Sequence, residues 1–401
     1  MPETSPATGL LLTGGGARAA YQVGVLEAIA EIRRDAVAAG AAIGGGNPFQ
    51  IITGTSAGAI NAAALACGAD DFDRVVAHIA QVWGEFRAEQ IYRADSLSVL
   101  GSGARWRMLL GLGRFAANWM RIKPKSLLDN SPLAGLLQRL VPLDRLPTLM
   151  QQGHVQALAV TASSYSSGEH VTFFEAAVPM EPWVRSQRLS VRDRITHAHL
   201  MASSAIPFVF PATALPMPPG HTEYFGDGSM RQSAPIAAAI HLGAQRIVVI
   251  GAGRMHEPRD EDAPNTHSGY PTMAQIAGHA LSSIFLDALA VDIERLRRIN
   301  HTLGLIPEEA RAASALRPLD LLVISPSERI DMIAARHVDA LPGAVRHLLG
   351  GSKVAADVKG GALASYLLFE SAYTRELMAL GRADAMRQRD EVLRFFGWVP
   401  T

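Results

Sequence analysis

The sequence predicts an α/β fold in which a mostly parallel central sheet is flanked by helices and followed by a C-terminal helical extension. Three observations carry this. Leu10–Leu12 and Ile51–Thr53 are short apolar or β-branched runs, each ending at a small-residue turn that opens a helix-periodic stretch. Ile247–Ile250 and Leu319–Ile324 are compact apolar runs suited to strands buried on both faces. Beyond Ser325-Pro326 the pattern turns helical and more highly charged, with breaks at Pro342-Gly343, Gly350-Gly351 and Gly360-Gly361.

Composition bounds the rest. With 401 residues, 48% of them apolar, the chain can bury one large core or two modest ones. Lys+Arg and Asp+Glu balance at 37 each, so the overall charge gives no reason to expect nucleic acid as a partner. The single cysteine, Cys67, rules out a disulfide within the chain and fits a reducing compartment. It sits in an apolar helical stretch, where a buried small hydrophobe is the ordinary reading. Met1–Thr8 is short, polar and proline-bearing, without the basic start and apolar core of a secretory signal, so cytoplasmic retention is the expectation. Ala36–Ala69 carries no charge but is broken by Gly44-Gly45-Gly46 and Asn47-Pro48, which excludes one membrane-spanning helix there.

In the first unit, Leu10–Leu12 leads to Thr13-Gly14-Gly15-Gly16-Ala17-Arg18, and then Tyr21, Val25, Ala28, Ile29 and Ile32 recur at helical spacing. Strand, glycine loop, helix is also the layout of a phosphate cradle. That reading fits imperfectly. The sixth position is Ala19, no P-loop lysine is present, and no acidic ribose partner follows the second strand.

The second unit is Gln50–Cys67, a strand, a tight turn on Gly54-Thr55-Ser56-Ala57-Gly58, and an alanine-rich helix. A serine at such a strained turn keeps its hydroxyl exposed, and small residues two before and two after it let the backbone fold that sharply. Gly54 and Gly58 fill both places, which makes Ser56 the candidate nucleophile. The helix behind it aims its first N–H groups, beginning with Ala57, at a developing oxyanion. The pentapeptide alone is common by chance; its setting between a β-branched run and an alanine helix gives it weight. Two strands joined by one crossover helix lie parallel and close, so the Gly14–Gly16 loop should open beside Ser56 and offer bare N–H groups. Arg18 adds positive charge there, although arginines in a first helical turn are commonly just solvated.

Asp70–Trp83 reads as a further helix. No acid stands between Asp95 and Asp129, while residues 105–125 collect six basic residues, with Met108, Leu112, Phe115, Trp119 and Ile122 on one helical face. That stripe suits peripheral membrane contact, and equally the commoner case of a helix covering a core. His154–Thr161 and His170–Phe174 read as strands around a serine-rich loop, Arg192–Ser203 as a helix, and His256–Pro271 as a loop. Glu223–Asp227 is a strand ending at an acid, Asp227, within an Asp-Gly pair that is also a frequent turn.

A serine nucleophile needs a base. Histidines follow Asp227 at His241, His256, His267, His279, His301, His337 and His347, but none has a context that marks it. Only one strand–helix unit precedes the serine, whereas an α/β-hydrolase elbow follows several. A Ser–Asp dyad is therefore favoured. A carboxylate of ordinary pKa is a weak base for a serine hydroxyl, so oxyanion stabilisation and exclusion of water must supply most of the rate.

Together, the loop Gly14-Gly15-Gly16-Ala17-Arg18, the elbow Gly54-Thr55-Ser56-Ala57-Gly58 and Asp227-Gly228 resemble the motifs of patatin-like phospholipases, in that family's order. Ala202-Ser203-Ser204-Ala205-Ile206-Pro207, followed by Phe210-Pro211, resembles a further segment of the family. The resemblance implies a three-layer patatin-like fold over residues 9–240; outside it, 1–8 reads as a flexible start, 241–326 as the remaining strands and helices of the same domain, and 327–401 as the helical extension. It implies Ser56 as nucleophile, Asp227 as base, and Gly14, Gly15, Gly16, Arg18 and Ala57 as the oxyanion side. The reaction implied is hydrolysis of lipid acyl esters through an acyl-enzyme, without metal or organic cofactor, at a membrane surface. Ser229 and Ala19 depart from it, standing where the family usually has glycine or alanine and glycine. Two other readings use the same residues: a soluble carboxylesterase, thioesterase or transacylase, and a catalytically silent protein that binds lipid or a partner. The C-terminal helices are the expected place for any oligomer contact.

Overall fold

The computed structural model describes residues 6–93, 126–253, 283, 288–314, 316–348 and 358–399. The amphipathic stretch 105–125, with Trp106 and Trp119, and the expected loop His256–Pro271 lie outside the described residues.

The chain opens with β1 (Thr8–Leu12), a single 3-10 turn over Gly16–Ala19, α1 (Ala20–Ala38), β2 (Ile51–Thr55), α2 (Ala57–Ala66) and α3 (Phe72–Gly84). Asp71 caps α3 by accepting from the Arg74 N–H at 3.0 Å. There follow α4 (Ser131–Leu140), β3 (Ala157–Ser164), β4 (His170–Ala176), β5 (Val184–Arg185), β6 (Arg188–Arg192), α5 (His197–Ser203), β7 (Thr213–Met217), β8 (His221–Asp227) and β9 (Arg246–Ile250). After α6 (Ala288–Gly304) and β10 (Asp320–Ile324), the chain ends in helices that include α7 (Ile330–Arg336), α8 (Val358–Leu367), α9 (Ser371–Arg387) and α10 (Arg389–Phe396). The expected helix Arg192–Ser203 is shorter than its periodicity suggested. Arg192 closes β6, and Thr196, extended at φ −124°, starts the helix through a reciprocal capping pair with His199.

One sheet runs β10-β9-β1-β2-β3-β4-β6-β5, with β8 also on β3 and β7 on β8. From β10 to β3 every neighbour is parallel. Those central strands are apolar without alternation because both of their faces are covered. Leu10, Leu12, Ile52, Leu158, Val160, Val248 and Ile250 join the core shared with α1–α3 and the C-terminal helices. Leu11, Ile51, Ala157, Ala159, Ile247 and Val249 point the other way, onto Leu289, Ile293 and Leu296 of α6. The result is three layers, helix, sheet, helix.

The C-terminal helices belong to the first of these outer layers. α9 lies against α1 so closely that a Cβ on Gly24 would fall 1.9 Å from the Met378 carbonyl, and one on Gly381 2.1 Å from that of Tyr21. Tyr21 donates its hydroxyl to the buried Asp384 at 2.9 Å, tying the two helices by a polar contact as well. Among the described residues, no helix is long and apolar enough to cross a membrane.

Candidate active site

Two strands bring the candidate residues together on one neighbour. β2 pairs with β3 up to Thr55 opposite Thr161. From Ala162 onward β8 takes over, running antiparallel, with Asp227 opposite Ala162. The C-terminal ends of β2 and β8 thus meet on β3. Ser56, the residue after Thr55, donates its hydroxyl to Asp227 Oδ2 at 2.6 Å.

The turn at Ser56 is a sharp one. Its φ of +56° and ψ of −132° lie where side-chain-bearing residues rarely go, so the surroundings must hold it. A Cβ on Gly54 would sit 2.5 Å from the Gly58 carbonyl, and one on Gly58 2.4 Å from the carbonyls of Leu12 and Thr13. The C-terminal end of α5 and the residues just after it supply the restraint. Ser56 donates its N–H to Ser203 Oγ at 2.8 Å, and Ser203 Oγ donates onward to the Thr161 carbonyl at 2.6 Å. The same segment accepts from Asp227 N–H at Ala205 O (2.9 Å) and from Gly228 N–H at Ser203 O (3.2 Å).

Asp227 is wholly buried, and burial pushes its carboxyl from 3.8 up to about 6, against the pull of hydrogen bonds from Ser56 and Ser229. The Ser229 N–H donates to Oδ1 at 2.9 Å. The expected ordinary carboxylate pKa is therefore corrected: desolvation makes this acid a stronger base. His170 backs the Asp-Gly turn, its Nε2–H donating to the Gly228 carbonyl at 3.2 Å. Burial pushes His170 down to about 4, which keeps its ring neutral. Among the described residues, no histidine hydrogen-bonds Ser56 or Asp227. His241 stacks on Trp183, His337 meets Glu376, and His301 is exposed on α6.

Of the three loop glycines, Gly16 lines a cavity together with Ser56 and Ala57. Its φ is +55°, and a Cβ there would fall 2.3 Å from the Tyr366 carbonyl of α8, so the C-terminal helices seat this loop. Gly14 and Gly15 are not among its lining residues. Ala57 opens α2, and its N–H has no intrahelical acceptor. Arg18 is neither solvated nor among the lining residues. It is 4% exposed, donates from Nε to Ser365 Oγ at 2.7 Å, and lays its guanidinium over the Tyr366 ring at 4.2 Å.

The cavity is almost wholly apolar. α2 contributes Ile60 and Ala64, α3 Ile79, Val82 and Trp83, and α4 Leu133, Leu136, Leu137 and Leu140. Ile206 and Phe210, from the segment after α5, line it as well, and Phe369 comes from the link between α8 and α9. Asn61, one of its few polar residues, is engaged by Trp83 Nε1 at 2.8 Å and by the Ala19 carbonyl at 3.2 Å. Cys67 is a buried thiol pushed up to about 12, inert at neutral pH. Among the described residues, no group of three or more His, Cys, Asp or Glu is placed to hold a metal ion. Two contributors had no readable signal in the sequence. Ser203 lies inside a quoted segment but acts through a fold contact, and Phe369 reaches the cavity from the far end of the chain.

The sequence profile described as patatin-like phospholipase matches residues 10–240. No curated protein matches the chain. Among solved structures, VipD from Legionella pneumophila is 13% identical, with 97% of this chain and 67% of that one covered at a TM-score of 0.32. The profile covers more than half of the sequence and takes in the glycine loop, the serine turn and Asp227-Gly228, so the chain belongs to the patatin-like phospholipase family of lipid acyl hydrolases.

Proposed function

We propose that the protein hydrolyses carboxylic esters of lipids, in the manner of a phospholipase A or lysophospholipase, through a Ser56–Asp227 dyad. The observation behind this is the 2.6 Å hydrogen bond from a strained serine, which lines an apolar cavity, to a buried carboxylate. The Asp227 carboxylate takes the Ser56 proton as Oγ attacks the ester carbonyl carbon. The oxyanion that forms receives N–H bonds from Gly16 and Ala57, with Gly14 and Gly15 shaping the approach and the buried charge of Arg18 behind the loop. When the intermediate collapses, the C–O bond to the alcohol breaks and the alcohol leaves with the proton from Asp227. Water then attacks the acyl-enzyme by the same route and releases the fatty acid. A carboxyl near pH 6 lies closer to the working pH than an ordinary one and is better matched to this double duty. The apolar walls exclude water and receive the acyl chain.

Residues 105–125 are the proposed point of membrane contact, on the strength of their basic and aromatic sequence. Hydrolysis of a p-nitrophenyl ester and of a phospholipid, with wild type beside Ser56→Ala and Asp227→Asn, tests the mechanism. Both variants should be folded and inactive. Full turnover by folded Asp227→Asn would assign the base elsewhere.

A further inference from the structure

We propose that the acyl cavity is a length gauge, measured for straight chains of about ten carbons and ended at Ala64 by a charged cleft. This rests on the hydrolase reading above and names the substrate class of that same site. The cavity follows α2, which starts immediately after Ser56 and places Ile60 and Ala64 on the lining, one turn and two turns on. At Ala64 the surroundings change. A second cleft begins there, sharing Ala64, His78, Ile79 and Leu140 with the cavity. Its further lining includes Asp70, Arg74, Arg139 and Arg145. Arg145 is engaged by Asp70 at 2.8 Å and by the Cys67 carbonyl at 3.0 Å, which fixes a charged wall beyond the apolar one.

The distance follows from helix geometry. Eight residues separate Ser56 from Ala64, roughly 12 Å at 1.5 Å per residue. An extended alkyl chain gains about 1.25 Å per carbon from standard bond lengths and angles, so some ten carbons reach the boundary. Each methylene up to that point leaves water for the apolar wall. Each one beyond it enters a hydrated cleft where arginines keep their water, and transfer there gains nothing. Ala64 is the residue that leaves the passage open, because its methyl group is the smallest side chain that still belongs to the wall. It is a specificity-determining residue with no part in bond breaking.

The test is a series of p-nitrophenyl esters from butyrate to palmitate, run on wild type, Ala64→Phe and the surface variant Arg74→Leu/Arg139→Leu. In wild type, kcat/KM should climb by up to about fourfold per methylene and stop climbing near decanoate. Ala64→Phe should move the break to shorter esters, and the arginine replacements should carry it beyond decanoate. A wild type that prefers palmitate, or a break that neither variant moves, overturns the gauge. Labelling of Ser56 by ethyl fluorophosphonate reads the hydrolase mechanism separately: a labelled protein with no length break refutes the gauge alone. If no ester is turned over, calorimetric binding of fatty acids of the same lengths, with the same two variants, still decides it.

Discussion

Replacing Asp227 by asparagine should make the protein more stable at neutral pH while abolishing its turnover. The side chain is nearly isosteric, and its Oδ1 can keep the Ser229 N–H bond now seen at 2.9 Å. What it removes is a buried negative charge. Asp227 is raised from 3.8 to about 6 in the fold, so its protonated form is favoured there relative to the unfolded chain. The sign follows: the native state binds the proton more tightly, and stability is lost as pH rises from the unfolded value through the folded one. At about 1.4 kcal/mol per tenfold change in proton affinity, the rise from 3.8 to about 6 corresponds to about 3 kcal/mol of destabilisation at pH 7 and above, none of it screened by solvent because the group is fully buried. Denaturant unfolding of both proteins across pH supplies the difference curve, in which the other titrating groups cancel. The curve should be flat near zero below about pH 4, rise through about pH 6, and level off with the variant the more stable by about 3 kcal/mol. A difference that does not change with pH, or one that favours wild type at pH 8, would refute the claim that desolvation raises this carboxyl.

Other outcomes follow from the same geometry. kcat/KM should fall about tenfold per pH unit below about pH 6, since the protonated Asp227 cannot accept the serine proton. Gly16→Ala should cut kcat about a hundredfold, because a methyl group 2.3 Å from the Tyr366 carbonyl displaces the proposed oxyanion donor; ester kinetics on folded protein measure it. Ser203→Ala leaves the Ser56 N–H without its acceptor and should cost about 1–3 kcal/mol in denaturant unfolding, together with a loss of turnover. Charge reversal across residues 105–125 should weaken sedimentation with anionic vesicles; unchanged partitioning removes the membrane-contact proposal.

Much of this is legible in the amino-acid sequence, and the reason is local. A strand–turn–helix at Gly54–Gly58 is written in consecutive residues whose sizes dictate the backbone, and the glycine loop at Gly14–Gly16 likewise. The unbroken apolar run of β9 marks a strand covered on both faces, whereas β10, at the edge of the sheet, keeps Leu321 and Val323 only half-buried. The parts that were not legible depend on partners far along the chain. Arg192–Ser203 shows helical periodicity throughout, yet pairing of β6 with β4 claims its first residue and a cap at Thr196 sets the start. Arg18 could not be placed because its partners, Ser365 and Tyr366, lie over three hundred residues away. The pKa of Asp227 is a property of burial, which no Asp-Gly pair can declare.

The seat of Gly16 on the Tyr366 carbonyl has a consequence in time. A chain being synthesised exposes its serine turn after some sixty residues and its aspartate after some two hundred and thirty, but the residue that shapes the glycine loop emerges far later. Until α8 has left the ribosome and docked, the nascent protein holds the proposed nucleophile and base without the Tyr366 carbonyl that seats Gly16. Stalled chains ending before residue 358 should therefore be poor labels for a fluorophosphonate, and released full-length chains good ones. The cell would meet the proposed hydrolytic activity only in the finished chain.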